Sequence, residues 1–138
     1  MKHVIQYSLG LMFILFTLAT FAQRERKHIR QGNDAFEKAQ YGNAQVAYEK
    51  ALEKEAQSFK ARFNKADALY KSENFKEAAE QFENLVYEAE TPKDKAQVYH
   101  NLGNALLKSK KLKKSIEAYK NALRLKPDDE ETRYNLAY

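Results

Sequence analysis

An all-α array of paired helices is the fold this sequence predicts, and three observations carry the prediction. Two stretches, QGNDAFEKAQYGNAQVAYEKALE from Gln31 and LGNALLKSKKLKKSIEAYKNALR from Leu102, repeat one order of small, aromatic and polar residues. Between them ADALYKSENFKEAAEQFENLV, from Ala66, is a weaker copy whose alanine, phenylalanine and leucine positions fall about 34 residues after their counterparts. A fixed period of that size marks helix pairs that stack into a solenoid, each unit burying its apolar face on the next. Composition agrees, since the good helix formers Ala, Lys, Glu, Leu and Gln dominate after residue 22 and β-branched residues are scarce.

The units fall at about 25–58, 59–92 and 96–129, with the first helix of a fourth at 130–138. Small residues recur at the eighth position of each unit (Gly32, Ala66, Gly103) and at the twentieth (Ala44, Ala78, Ser115). Both let paired helices approach closely. Large residues recur at the seventeenth (Tyr41, Phe75, Leu112) and twenty-fourth (Tyr48, Phe82, Tyr119), where they fill the space between the helices. Burial of each contributes roughly 1.5–3 kcal/mol.

Between the second and third units the spacing grows by about three residues, close to one helical turn. Thr91-Pro92-Lys93-Asp94 accounts for them as an N-cap, a proline at the first helical position and a capping-box-like acid. The first helix of unit three therefore starts a turn early. After Pro127, the run Asp128, Asp129, Glu130 and Glu131 places negative charge at a helix N-terminus. The helix that follows ends in Tyr134, Leu136 and Tyr138, apolar surface that a partner, a second copy or a longer chain would cover.

With 138 residues and no cysteine, the chain is one helical domain with neither a disulfide framework nor a thiolate metal site. The formal charge of +5 is mild, and acids interleave with bases, so the composition gives no nucleic-acid footprint. Residues 1–22 differ in kind: Lys2, then LGLMFILFTLATFA, then small residues at Thr20 and Ala22. They read as a secretory signal peptide, with Gln23 starting a mature chain that faces the periplasm or the exterior. The alternative is an uncleaved anchor facing the periplasm, because Val4 to Ala22 approaches the ~20 residues a spanning helix needs and basic residues follow from Arg24.

Nothing in the pattern calls for catalysis, a metal or another cofactor. His3, His28 and His100 are isolated, and the glycines form no phosphate loop. Ser58, Ser72 and Ser109 fall at helix ends, where capping explains them. The run Lys108-Ser109-Lys110-Lys111-Leu112-Lys113-Lys114 crosses the turn of the third pair. It suits contact with an anionic surface, but solubility and lysine placement at a helix C-terminus form the simpler account.

In period and residue order the units resemble the tetratricopeptide repeat (TPR), which implies a right-handed superhelix whose first (A) helices line a concave groove. The resemblance implies a groove surface with Arg30, Asn33 and Phe36 from the first unit, Lys60, Phe63, Asn64, Asp67 and Tyr70 from the second, and His100, Asn101 and Asn104 from the third. Ile29 and Gln97 fall at groove positions as well. The ninth position of one unit approaches the sixth of the next, pairing Asn33 with Asn64, Asp67 with Asn101 and Asn104 with Asn135. Amides there can hold an extended peptide backbone, or can simply join neighbouring helices. The carboxylate clamp of chaperone-type TPRs requires cations where this chain has Ile29, Gln97 and Asn101, so capture of a C-terminal carboxylate by that route is not expected.

A leader ending FAQ, a first unit opening RKHIRQGNDAFEKAQYGNAQVAYEKAL and a last one closing AYKNALRLKPDDEETRYNLAY resemble the TPR proteins of bacterial aerotolerance (Bat) operons. That resemblance implies a periplasmic or membrane-associated scaffold, membrane-bound von Willebrand factor A-type partners and a role in envelope or oxidative-stress tolerance. The expected function is thus non-enzymatic binding of a protein or peptide in the groove. Self-association through the C-terminal end, or membrane-anchored assembly, is the alternative.

Overall fold

The computed structural model describes residues 25–138, and these form seven helices. They are α1 (25–37), α2 (Tyr41–Leu52), α3 (Phe59–Lys71), α4 (Phe75–Glu88), α5 (Pro92–Lys108), α6 (Leu112–Leu125) and α7 (Glu130–Ala137). The leader and anchor readings of 1–22 lie outside the described residues. Consecutive helices pack on one another, and α3 also touches α5. This is the antiparallel solenoid the period predicts, with no strand among the described residues.

Helix boundaries follow local chemistry. The Ser58 hydroxyl accepts from the Ala61 N–H at the start of α3, and Asp129 does the same for Thr132 at the start of α7. Thr91 accepts from the Asp94 N–H at 3.0 Å and donates to the Asp94 carboxylate at 2.6 Å, with Pro92 at the first helical position. Helix α5 consequently runs 17 residues against 13 for α3, the early start the spacing predicts. Ser72 and Ser109 close α3 and α5, each donating at 2.7 Å to the carbonyl four residues back.

The turn inside each unit has one repeated geometry. Ala39, Glu73 and Lys110 adopt φ of 55°, 64° and 61°. The following N–H groups of Gln40, Asn74 and Lys111 donate to the Ala35, Leu69 and Leu106 carbonyls at 2.9–3.0 Å. This is the left-handed helix stop in which glycine is usual. None of the three is glycine, so each turn holds a conformation costing roughly 1–2 kcal/mol for an L-residue.

Packing bears out the small positions. Ala44, Ala78 and Ser115 are buried, and Ser115 also donates to the Gly103 carbonyl at 2.9 Å. The Tyr48 ring lies so close to Gly32 that an added Cβ would sit 2.3 Å from it, and Tyr119 covers Gly103 at 2.4 Å. The largest core cluster belongs to units two and three, with Leu69, Phe82, Leu85, Val98, Leu102 and Leu106 at its centre. Unit one joins through the smaller clusters of Ile29 with Ala51 and Ala61, and of Tyr48 with Ala44 and Ala68.

Two groove expectations are corrected here. Ile29 and His100 are each only 5% exposed and lie between units rather than in the groove. Position five of one unit meets position three of the next: Ile29 clusters with Ala61, Phe63 packs on the cluster containing Val98, and His100 bonds Thr132. Those side chains seal the stack.

Candidate functional site

The A helices α1, α3, α5 and α7 are tied side by side by a ladder of amides. Asn64 Nδ2 donates to Asn33 Oδ1 at 3.0 Å, Asn101 Nδ2 to Asp67 Oδ1 at 2.9 Å, and Asn135 Nδ2 to Asn104 Oδ1 at 3.1 Å. All three pairings that the resemblance implies therefore form. They form as helix-to-helix hydrogen bonds, so their first effect is to set the angle between units.

The second helices complete the rungs. The Tyr48 hydroxyl donates to Asn33 Oδ1 at 2.9 Å and the Tyr119 hydroxyl to Asn104 Oδ1 at 2.6 Å. Only by lying flat across Gly32 or Gly103 can the ring reach so far, which links the glycine, the tyrosine and the asparagine of one unit. Burial pushes the Tyr48 hydroxyl up to about 12, with Asp67 adding to it. Burial likewise pushes Tyr119 up to about 12. Both remain protonated donors.

With two donors on Asn33 Oδ1, both lone pairs are occupied. The amide NH₂ of Asn33 has no protein partner among the described residues, and Asn33 lines an open pocket of about 310 Å³ with Phe36, Glu37, Tyr48, Lys60, Asn64 and Asp67. The Asn104 amide is differently placed, donating to His100 Nε2 at 3.0 Å. His100 Nε2 must then accept, so its Nδ1 carries the hydrogen and donates to Thr132 Oγ1 at 2.6 Å. This buried chain from Tyr119 to Thr132 docks α7.

Unit two breaks the pattern. Phe82 stands where the tyrosines are and has no hydroxyl, and the ninth residue is Asp67 instead of asparagine. Burial raises the Asp67 carboxyl from 3.8 to about 6, while Lys71 pulls it partly back.

Of the residues the sequence nominates, Asn33, Phe36, Lys60, Asn64 and Asp67 converge on this pocket. Asn101, Asn104 and Asn135 continue the ladder. Phe63 packs between Phe59 and Phe82 at ring distances of 6.0 and 5.7 Å, and Tyr70 packs edge-on to Phe75 at 5.3 Å; both are half-buried. Arg30 is exposed and does not line the pocket. Tyr48, legible as a core filler, is the pocket residue that sequence reasoning missed. Its hydroxyl reach depends on the ring crossing Gly32, which residue spacing does not show. Among the described residues no three His, Cys, Asp or Glu side chains are placed to hold a metal ion.

Known proteins agree with this geometry. Two tetratricopeptide repeat family models match, one over residues 29–95 and one over 96–129. The STIP1 homolog of Dictyostelium discoideum is 32% identical over 108 residues, 75% of this chain. The match spans only 19% of that relative's length. The first TPR domain of Spaghetti (RPAP3), solved with an HSP90 peptide, superposes with a TM-score of 0.76 at 22% identity, covering 83% of this chain and 89% of that one. The N-terminal domain of stress-induced protein-1 from C. elegans gives 0.75 at 22% identity, covering 83% and 94%. Family matches that run without a gap from 29 to 129, over helix pairs of the expected register, show that the chain belongs to the tetratricopeptide repeat family.

Proposed function

We propose that this protein is a non-enzymatic scaffold that holds an extended peptide segment of a partner in the groove of its first two units. The observation that carries the proposal is the Asn33 amide: its oxygen is saturated inside the fold, its NH₂ has no protein partner among the described residues, and the residue lines a pocket with Phe36 and Lys60. An NH₂ so placed donates to a peptide carbonyl whatever the side chain there. Solved relatives of the same fold hold peptides of HSP90, which supports a peptide as occupant. The missing clamp cations at Ile29, Gln97 and Asn101 point to an internal segment instead of a free C-terminus.

The cellular setting we propose is the bacterial envelope, with the chain exported by its leader or anchored by it. The likeness to Bat-operon TPR proteins supports von Willebrand factor A-type partners and a role in stress tolerance. A pull-down from envelope extract with the full chain identifies the partner segment, whose affinity is then measured against Asn33→Asp. That variant keeps both accepted hydrogen bonds, replaces the groove donor by an acceptor and adds a negative charge beside Glu37 and Asp67. Affinity should fall about tenfold, one charge-sensitive hydrogen bond, with unchanged helicity. Equal affinity of the folded variant would overturn the proposal.

A second reading, self-association, draws on α7. Tyr134 and Tyr138 are 67% and 98% exposed and stack on each other at 6.1 Å.

A further inference from the structure

Asp67 is the incomplete member of the amide ladder. It accepts the Asn101 amide at 2.9 Å through Oδ1, while its Oδ2 has no hydrogen-bond or ion-pair partner among the described residues. The rungs on either side leave no such remainder, because Tyr48 and Asn64 fill Asn33 Oδ1, and Tyr119 and Asn135 fill Asn104 Oδ1. Phe82, in the tyrosine position of unit two, has no hydroxyl to offer.

An asparagine would serve Asn101 equally well, so the carboxylate brings this rung only a charge that burial disfavours. The charge is felt by Tyr48 and Tyr70, both of whose hydroxyls it raises. No cation of the described fold answers it directly. Lys71, one turn along α3, draws the carboxyl partly back but forms no salt bridge with it. Lys60 stands seven residues before it, about 10 Å along the helix axis. A side chain that breaks the rule of its own repeat at a cost in stability is where a ligand is to be sought.

The surroundings define what fits there. Asp67 lines the same open pocket of about 310 Å³ as Asn33, together with the aromatic side chains of Phe36 and Tyr48 and a second acid, Glu37. An aromatic face and a half-buried carboxylate both attract a cation. A metal ion is a poor fit, because no three His, Cys, Asp or Glu side chains among the described residues are placed to hold one. We propose, resting on the groove reading above, that the bound segment places an arginine or lysine side chain in this pocket, with its cation on the Asp67 carboxylate beside Phe36 and Tyr48. The Asn33 amide then holds the backbone of the segment, and Asp67 selects its sequence.

The probe is a library of short peptides, acetylated and amidated, whose central residue is fixed as arginine, lysine, citrulline, norleucine or glutamate within mixed flanks. The full chain, immobilised, should retain arginine and lysine centres over their neutral mimics and over glutamate. Its formal charge of +5 repels cationic peptides at long range, so such a preference cannot come from general attraction. For a retained arginine peptide, exchange to citrulline should lower affinity about tenfold with the parent chain and leave it nearly unchanged with Asp67→Asn. That variant keeps an oxygen for Asn101, and circular dichroism checks its helicity; the exchange on the parent chain needs no variant at all. Asp128→Asn, which removes the same charge from the exposed turn before α7, should behave as the parent. Peptides retained without a basic preference, or an equal citrulline loss with Asp67→Asn, would overturn the cation subsite and leave the groove reading standing. Retention of no peptide at any centre would remove both.

Discussion

Gly103 and Tyr119 act as one unit of design, because the ring that caps the glycine also carries the hydroxyl that orients Asn104. Gly32, Tyr48 and Asn33 repeat the arrangement. In unit two the set changes together: Ala66 replaces the glycine, Phe82 the tyrosine and Asp67 the asparagine. A phenylalanine that need not reach the ninth residue leaves room for a methyl group. Gly103→Ala should therefore cost about 1–3 kcal/mol by overpacking against Tyr119. Gly103→Ala combined with Tyr119→Phe should cost less than the sum of the single changes, by on the order of 1 kcal/mol. Denaturant unfolding of the three variants measures the coupling; strict additivity would show that ring and glycine are independent.

Among the elements, the A helices are joined through polar rungs and seam packing, and α4 and α6 each pack on the A helices before and after them. The middle rung is electrostatically the odd one, because Asp67 receives the Asn101 amide but no tyrosine hydroxyl. Burial raises its folded value from 3.8 to about 6. Between those values the folded state binds more protons than the unfolded chain, so stability falls as pH rises from 3.8 to about 6 and is level above. The size is at most ~2–3 kcal/mol, since each pKa unit corresponds to about 1.4 kcal/mol. Asp67→Asn keeps an oxygen for Asn101 and removes the titration. Urea unfolding across this range should show a slope in the parent that is absent in the variant, with the variant the more stable at neutral pH. A slope that persists in the variant would assign the proton to another group.

At the scale of the described helices, two places differ in chemistry: the amide-lined groove and the exposed tyrosines of α7. The exposure of Tyr134 follows from how units meet. Position five of each unit packs on position three of the next, as Ile29 does with Ala61 and His100 with Thr132. In α7 the equivalent residue is Tyr134, which is 67% exposed. Pairing of two such ends would bury it. Under this second reading the full chain should sediment above its monomer mass at tens of micromolar, and Tyr134→Ser with Tyr138→Ser should return it to the monomer. A parent chain that is monomeric there counts against end-to-end pairing.

Much of this was legible before any coordinates. The 34-residue period set the helix pairs, the small residues at Gly32, Ala66 and Gly103 set the close approaches, and Thr91-Pro92-Lys93-Asp94 explained the longer α5. Those features depend on chain neighbours or on strict repetition, and spacing reports both. The resemblance to tetratricopeptide repeats even paired Asn33 with Asn64, Asp67 with Asn101 and Asn104 with Asn135. It did not show which face of each A helix looks inward, because successive residues on a helix are turned by about 100° from each other and a small rotation moves position five from groove to seam. Ile29 and His100 lie buried for that reason. Sequence alone determined the number, register and limits of the helices, since these are local and periodic properties. Tertiary packing alone decided where Tyr48 carries its hydroxyl and how His100 holds Thr132, because each depends on which side chain the neighbouring helix presents.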